Sequence, residues 1–148
     1  MAFKASKDAI SAREAKLFLN GEEIGYAKSF EATVEKEKVE LKTLGNKWTG
    51  QKTIGLSGSG TISMLKVTSK FAKMIKEYEL TGQDIYFTMQ GVNNDPASRA
   101  GEQRVTLYDC NINSAILATF DVDGEVLEEE VEFTFEGFTI DKAHNEKF

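Results

Sequence analysis

The chain has 148 residues, 41% of them apolar and 10% aromatic, which suffices for one domain, spanning 1–148, with a proper core. Its 24 Asp and Glu against 18 Lys and Arg give a formal net charge of −6, which argues against phosphate-gripping nucleic-acid binding, since that needs clustered cations. No apolar run approaches the roughly 18 residues needed to span a bilayer, and residues 1–16 lack the apolar centre of a secretory signal, so no membrane binding by the chain alone is expected.

In chain order, the first element is a tight hairpin: Lys16 to Leu19, a turn at Asn20-Gly21, then Glu22 to Tyr26. Counting outward from the turn puts Leu17 opposite Ile24. A long strand follows from Ala27 to Leu41, with Phe30, Ala32 and Val34 on one parity and Glu31, Thr33, Glu35 and Glu37 on the other. After Lys38 the apolar parity switches to Val39 and Leu41, which predicts a bulge or bend.

Residues 43–60 (TLGNKWTGQKTIGLSGSG) are rich in Gly, Ser, Thr and Lys and contain the sole tryptophan, Trp48. This composition predicts a long loop or extended β-arm, half ordered until it meets another surface, since long irregular segments inside compact domains tend to be functional. Thr61 to Leu65 then reads as a short strand. Val67, Phe71, Met74 and Tyr78 recur at helical spacing, with Thr68 or Ser69 as N-cap and Gly82 as stop, which predicts one helix over about 68–80. Strands are expected at Asp84 to Met89, Gln103 to Ile112 and Ala115 to Val122, with an exposed loop over Gly91 to Gly101 around the only proline.

The closing stretch DVDGEVLEEEVEFTFEGFTI, Asp121 to Ile140, reads as a hairpin turning at Asp123-Gly124. The turn sets Phe120 opposite Leu127, Ile116 opposite Val131 and Ile112 opposite Phe135, an apolar face that Phe133 joins. Glu128, Glu130 and Glu132 occupy the other face, opposite Thr119, Leu117 and Ala115, so no carboxylate faces another directly. The fold class is therefore mainly β: an antiparallel sandwich or open barrel with one flanking helix and a Gly-rich arm.

Chemical motifs are weak. Gly45 to Thr53 resembles a phosphate loop, but a residue separates its second glycine from the lysine. Gly55-Leu56-Ser57-Gly58-Ser59 lacks the final glycine of a nucleophile elbow. His144 is the sole histidine, in a polar tail, and the Glu128 to Glu132 row has no turn to wrap a cation. The one cysteine, Cys110, shares a strand face with Tyr108 and Ile112 and reads as a small buried side chain. No catalytic, metal or cofactor site is expected, and the chain does not read as an enzyme.

The order of segments resembles the phage tail tube proteins of contractile tails and defective prophages. It runs through AKLFLNGEEIGYAKSFEATVE, VELKTLG, the GSGT stretch, LKVTSKFAKMIKEY, TGQDIYFTMQGVNNDPASRAG and, most specifically, QRVTLYDCNINSAILATFDVDGEVLEEEVEFTFEGF. The resemblance implies a virion structural protein, related in architecture to the type VI secretion tube. Its subunits would form rings of six, with neighbouring sheets joined around a bore, stacked into a tube that conducts the genome. It also implies assembly in the bacterial host cytoplasm and tail sheath, baseplate or terminator proteins as partners. DNA would pass without specific binding, along a candidate lumen face of Glu128, Glu130 and Glu132, and Trp48, Lys47, Lys52 and Ile54 would be candidate inter-subunit contacts on the arm. A rival from another class is a monomeric β-sandwich module for carbohydrate or peptide, which would display clustered exposed aromatics, whereas the aromatics here mostly fall on core parities: Phe30, Phe71, Phe120, Phe133 and Phe135.

Overall fold

The computed structural model describes residues 4–9, 13, 15–94, 96, 100–120, 122–124 and 126–144. After a single helical turn, α1 (Ala5–Asp8), strands β1 (Ala15–Leu19) and β2 (Glu22–Glu23) form the expected hairpin. Asn20 and Gly21 take the positive φ values, 52° and 84°, that such a turn requires. The Ile24 amide donates to Leu17 O at 2.8 Å, so these two residues face each other as counted from the sequence. Asn20 also ties the turn down, donating its amide to Thr88 O (2.8 Å) and accepting from the Thr88 amide on Oδ1 (2.9 Å).

Strands β3 (Ala27–Leu41) and β4 (Gly50–Leu65) pair along almost their whole lengths as an antiparallel hairpin. The bulge expected after Lys38 is present, but its extra residue lies on the partner: Glu37 faces Gly55 and Lys38 faces Thr53, leaving Ile54 unmatched. Of the Gly-rich stretch, residues 50–60 form the extended β-arm among the two expected forms, regular rather than half ordered, so the strand expected only from Thr61 begins at Gly50, while residues 43–49 remain irregular. Glycine and serine alternate here because the two faces differ. Gly58 and Gly60 lie under the rings of Phe135 and Phe133, and a Cβ on Gly60 would stand 2.4 Å from both Phe133 Cζ and Glu31 O. Ser57 and Ser59 point the other way. What reads as loop composition is a strand whose inward side chains have been removed.

Helix α2 (Lys70–Thr81) has Ser69 at its N-cap position, while the Lys70 amide donates to Thr68 Oγ1 at 3.3 Å, and it ends at Gly82, whose φ of 73° closes the last turn through a 2.8 Å bond to Tyr78 O. Its apolar stripe is shorter than the spacing predicts. Phe71 is fully buried and Met74 packs on the core, but Val67 and Tyr78 are exposed.

The remaining strands are β5 (Phe87–Asn93), β6 (Gln103–Ile112), β7 (Glu128–Phe135) and β8 (Gly137–Lys142). β6 has the predicted bounds, whereas β5 starts three residues after Asp84 and runs on to Asn93. All strands belong to one antiparallel sheet in the order β2-β1-β5-β6-β7-β4-β3, with β8 also on β6. It is an open sheet rather than a closed barrel. β6 joins the two halves: up to Cys110 it pairs β5 and β8, and at Asn111 and Ile112 it pairs β7. The bend between these parts coincides with Asp109, at φ 52°, where β6 gains an extra residue against β5. One core unites the halves, built from Leu17, Leu19 and Ile24, from Phe87, Met89, Leu107 and Cys110, and from Ile62, Met64, Val131, Phe133 and Phe135. Burial pushes the Cys110 thiol up to about 11, as suits a packing residue.

The predicted closing hairpin is not formed. None of the described residues of Ala115 to Val122 lies in a strand, and Asp121 and Glu125, beside the expected turn, fall outside the described residues. β7 pairs β4 instead, from Gly58↔Phe135 to Leu65↔Glu128. On its other edge Ile112 meets Phe133, two residues from the counted register with Phe135, which preserves the faces because side-chain direction repeats every two residues. After Asn113, whose amide donates to Glu132 O at 2.8 Å, the chain leaves β7, and Phe120, expected in the core against Leu127, is 87% exposed. The run read as one closing strand breaks at Glu136, whose amide donates to Tyr108 O.

Candidate functional site: a carboxylate and hydroxyl face with a protruding arm

Along β7 burial alternates strictly: Glu128, Glu130, Glu132 and Thr134 are exposed, and Glu129, Val131, Phe133 and Phe135 are buried. The parity read from sequence is therefore correct, although the partner strand is β4 rather than residues 115–122. Pairing through β4 to β3 extends the exposed side into rows, Ser29–Ser63–Glu130, Glu31–Thr61–Glu132 and Thr33–Ser59–Thr134, then Glu35–Ser57 and Glu37–Gly55. Only carboxylates, small hydroxyls and one glycine occupy these rows. Carboxylates alternate with hydroxyls across strands, so Glu31 and Glu132 stand two strand spacings apart, about 10 Å at the backbone, and none faces another. Glu31, Glu35 and Glu37 thus join the three predicted glutamates. Lys28 sits on the bulge at the end of the face and pairs Glu128 at 2.5 Å with both side chains about half exposed, which contributes little to stability.

Glu129 was missed by sequence reasoning, although its parity with Val131, Phe133 and Phe135 marks it as a carboxylate on an apolar face. It is 2% exposed, and its Oε2 accepts from Lys66 Nζ at 3.3 Å, while no partner among the described residues reaches Oε1. The same ammonium donates to Ile116 O at 3.2 Å, and the Lys66 amide donates to Leu127 O at 2.8 Å. One residue therefore holds both ends of the 116–127 segment, which exposes Leu117, Phe120, Val122 and Val126.

The arm residues come together as predicted only in the sense that they share one projection. Among the described residues the distal parts of β3 and β4, beyond the ladder with β7, have only each other as strand partners, and residues 42–49 link their tips. Trp48 is 84% exposed, its amide bonded to Asn46 Oδ1 at 3.0 Å, and Ile54, Lys47 and Lys52 are also exposed. Leu41, Leu44 and Leu56 add to this uncovered apolar surface. A hollow of about 560 Å3 between β1, β3, β5 and β6 has Phe30 as the one aromatic in its lining, which is poor equipment for stacking a sugar.

The profile of the family described as "Phage tail tube protein" matches residues 2–141. The phage-like element PBSX protein XkdM of Bacillus subtilis (strain 168) is 49% identical over 148 residues, covering the whole of both chains. Among solved structures, the sheath-tube complex of the extracellular contractile injection system PVC in its extended state contains a chain matching 90% of this one. That match covers 91% of the other chain, with a TM-score of 0.71 and 13% identity. A chain of the anti-feeding prophage tube-terminating cap matches over 96% and 97%, with a TM-score of 0.74 and 14% identity. At such identities these two structures establish a shared fold.

Proposed function

The chain belongs to the phage tail tube protein family and is a structural subunit of a virion tail, and from that premise we propose that six copies form a ring, that rings stack into the tube, and that the carboxylate and hydroxyl face lines the bore. The observation that carries this reading is the run of rows from Ser29 to Glu37 across β7, β4 and β3, which contains no Lys or Arg. Phosphate binding depends on cations that displace condensed counterions, so a wall without them lets DNA pass unheld. The whole chain acts as one tube domain, with a mechanical rather than catalytic role. It is assembled in the host cytoplasm and meets sheath, baseplate and terminator proteins along the tail.

Electron microscopy of the purified protein tests the reading: rings or tubes are expected, and a persistent monomer at high concentration overturns it. The lining has its own test. Replacing Glu128, Glu130 and Glu132 together by glutamine is expected to preserve tubes, since it removes like-charge repulsion without changing shape. Replacement by lysine is expected to make preassembled tubes retain linear DNA at low salt and release it as salt rises. If lysine tubes retain no DNA at low salt, this face lies away from the bore.

The arm joins subunits in this reading, with Trp48 as anchor and Lys47, Lys52 and Ile54 around it, because tryptophan is enriched where interface energy concentrates. Trp48→Ala is expected to leave a folded monomer with unchanged melting, since the side chain is 84% exposed, and to raise the concentration at which tubes appear. Equal polymerisation of variant and parent would remove Trp48 from the interface.

A further inference from the structure

Two exposed apolar surfaces of this chain carry opposite charge. From Leu41 to Ser57, the outer part of the arm, the sequence has Lys42, Lys47 and Lys52 and no Asp or Glu, in a protein of net charge −6. The same stretch exposes Leu44, Trp48, Ile54 and Leu56. The end of α2 shows the converse. From Glu77 to Tyr86 the sequence has Glu77, Glu79 and Asp84 and no Lys or Arg, and Tyr78, Leu80 and Tyr86 are exposed among them.

The helix itself has no use for this arrangement. All five residues from Glu77 to Thr81 are exposed, so the last turn of α2 stands clear of the core on every side. A helix C-terminus favours cations, yet this one has no basic residue in its last turn and carries Glu77 and Glu79 instead. Lys76 pairs Glu79 at 3.2 Å with both side chains exposed, which contributes little, and Glu77 and Asp84 have no ion pair among the described residues. Local choices that oppose an element's own stability mark functional positions.

The subunit's own arm is out of reach. Asn111 Nδ2 donates to Ile85 O at 3.2 Å, Asn111 pairs Thr134, and Thr134 pairs Ser59. The acidic end of α2 thus lies level with Ser59, and the end of the arm begins at Gly50, about 30 Å away at the usual rise of a strand.

We propose that the outer part of the arm docks on the end of α2 of a second copy, with Trp48 against Tyr78, Leu80 and Tyr86, and with Lys47 and Lys52 among Glu77, Glu79 and Asp84. This inference rests on the reading that the arm joins subunits and names the surface that receives it. Complementary charge steers the two surfaces together and fixes their register, while the apolar side chains supply the buried area. The segment from Leu117 to Val126 is also apolar and acidic, but it is irregular, and a preformed helix end costs less to order on binding. Two different surfaces meet, so the contact is heterologous and can repeat from copy to copy.

Charge reversal with rescue tests it. Lys47→Glu with Lys52→Glu is expected to keep the parent's melting temperature, because both side chains are exposed. Glu77→Lys with Glu79→Lys is expected to keep or slightly raise it, because cations suit that end of the helix. Each pair is expected to form no tubes at the concentration where the parent does, and all four substitutions together are expected to restore them. Carbodiimide coupling, which joins an ammonium to a carboxylate in direct contact, is expected to link Lys47 or Lys52 to Glu77, Glu79 or Asp84 of another copy in parent tubes. If reversal at α2 leaves assembly unchanged, if the fourfold variant stays unassembled, or if no such links form or they fall on Asp121, Asp123 or Glu125, docking on α2 is overturned and the tube reading stands. If the parent never assembles, both fall.

Discussion

Phe133→Ala is expected to cost about 3–5 kcal/mol, the range for deleting a large buried aromatic side chain. Phe133 is fully buried, stacks on Phe30 at 6.1 Å with an 8° interplanar angle, tilts against Phe135 at 6.3 Å, and covers Gly60. Its loss would open space that neither ring can refill, because the glycines beneath supply no side chain to move in. Glu130→Gln, three positions away on the exposed side, is expected to fall within about 0.5 kcal/mol of the parent. Urea midpoints of the two variants check this, and equal costs would mean that the faces of β7 are reversed.

The second large effect is expected at Lys66. Lys66→Ala leaves the Glu129 carboxylate, 2% exposed, without its cation, and stranding one member of a buried pair costs about 3–5 kcal/mol. It also removes the ammonium that donates to Ile116 O, so the base of the 116–127 segment loosens. The double variant Lys66→Met with Glu129→Leu is expected to recover most of the loss, because a buried ion pair gains little over well-packed apolar groups. A double variant as unstable as Lys66→Ala alone would show that the destabilisation does not come from the stranded charge.

Much of this fold was legible in the sequence because local chemistry determines it. Asn20-Gly21 dictates its turn, β6 has the bounds its alternation implies, Ser69 and Gly82 delimit the helix, and the change of parity after Lys38 marks a real bulge. The parity of β7 was legible for the same reason, and with it the separation of Glu128, Glu130 and Glu132 from Phe133 and Phe135. Partners were not legible. Alternation says which way side chains point and is silent on which strand lies alongside, so β7 was assigned to residues 115–122 when β4, more than sixty residues earlier, holds it. β4 was hidden in turn because Gly58 and Gly60 owe their identity to Phe135 and Phe133, contacts that exist only after folding. Glu31, Glu35 and Glu37 joined the acidic face through that same unseen strand, and Lys66 could be recognised only once its two carbonyl partners were seen at opposite ends of one segment.

The alternation of Gly58 and Gly60 with Ser57 and Ser59 separates two kinds of substitution within four consecutive residues. Inward, any added carbon collides with an aromatic ring or a backbone carbonyl, so those two positions are closed to drift. Outward, the serines carry no packing, and exchange among small polar residues there changes the wetting and charge of the face at almost no expense in stability. The surface chemistry of this sheet can therefore be retuned by evolution, or by an engineer, while the scaffold that holds it stays the same.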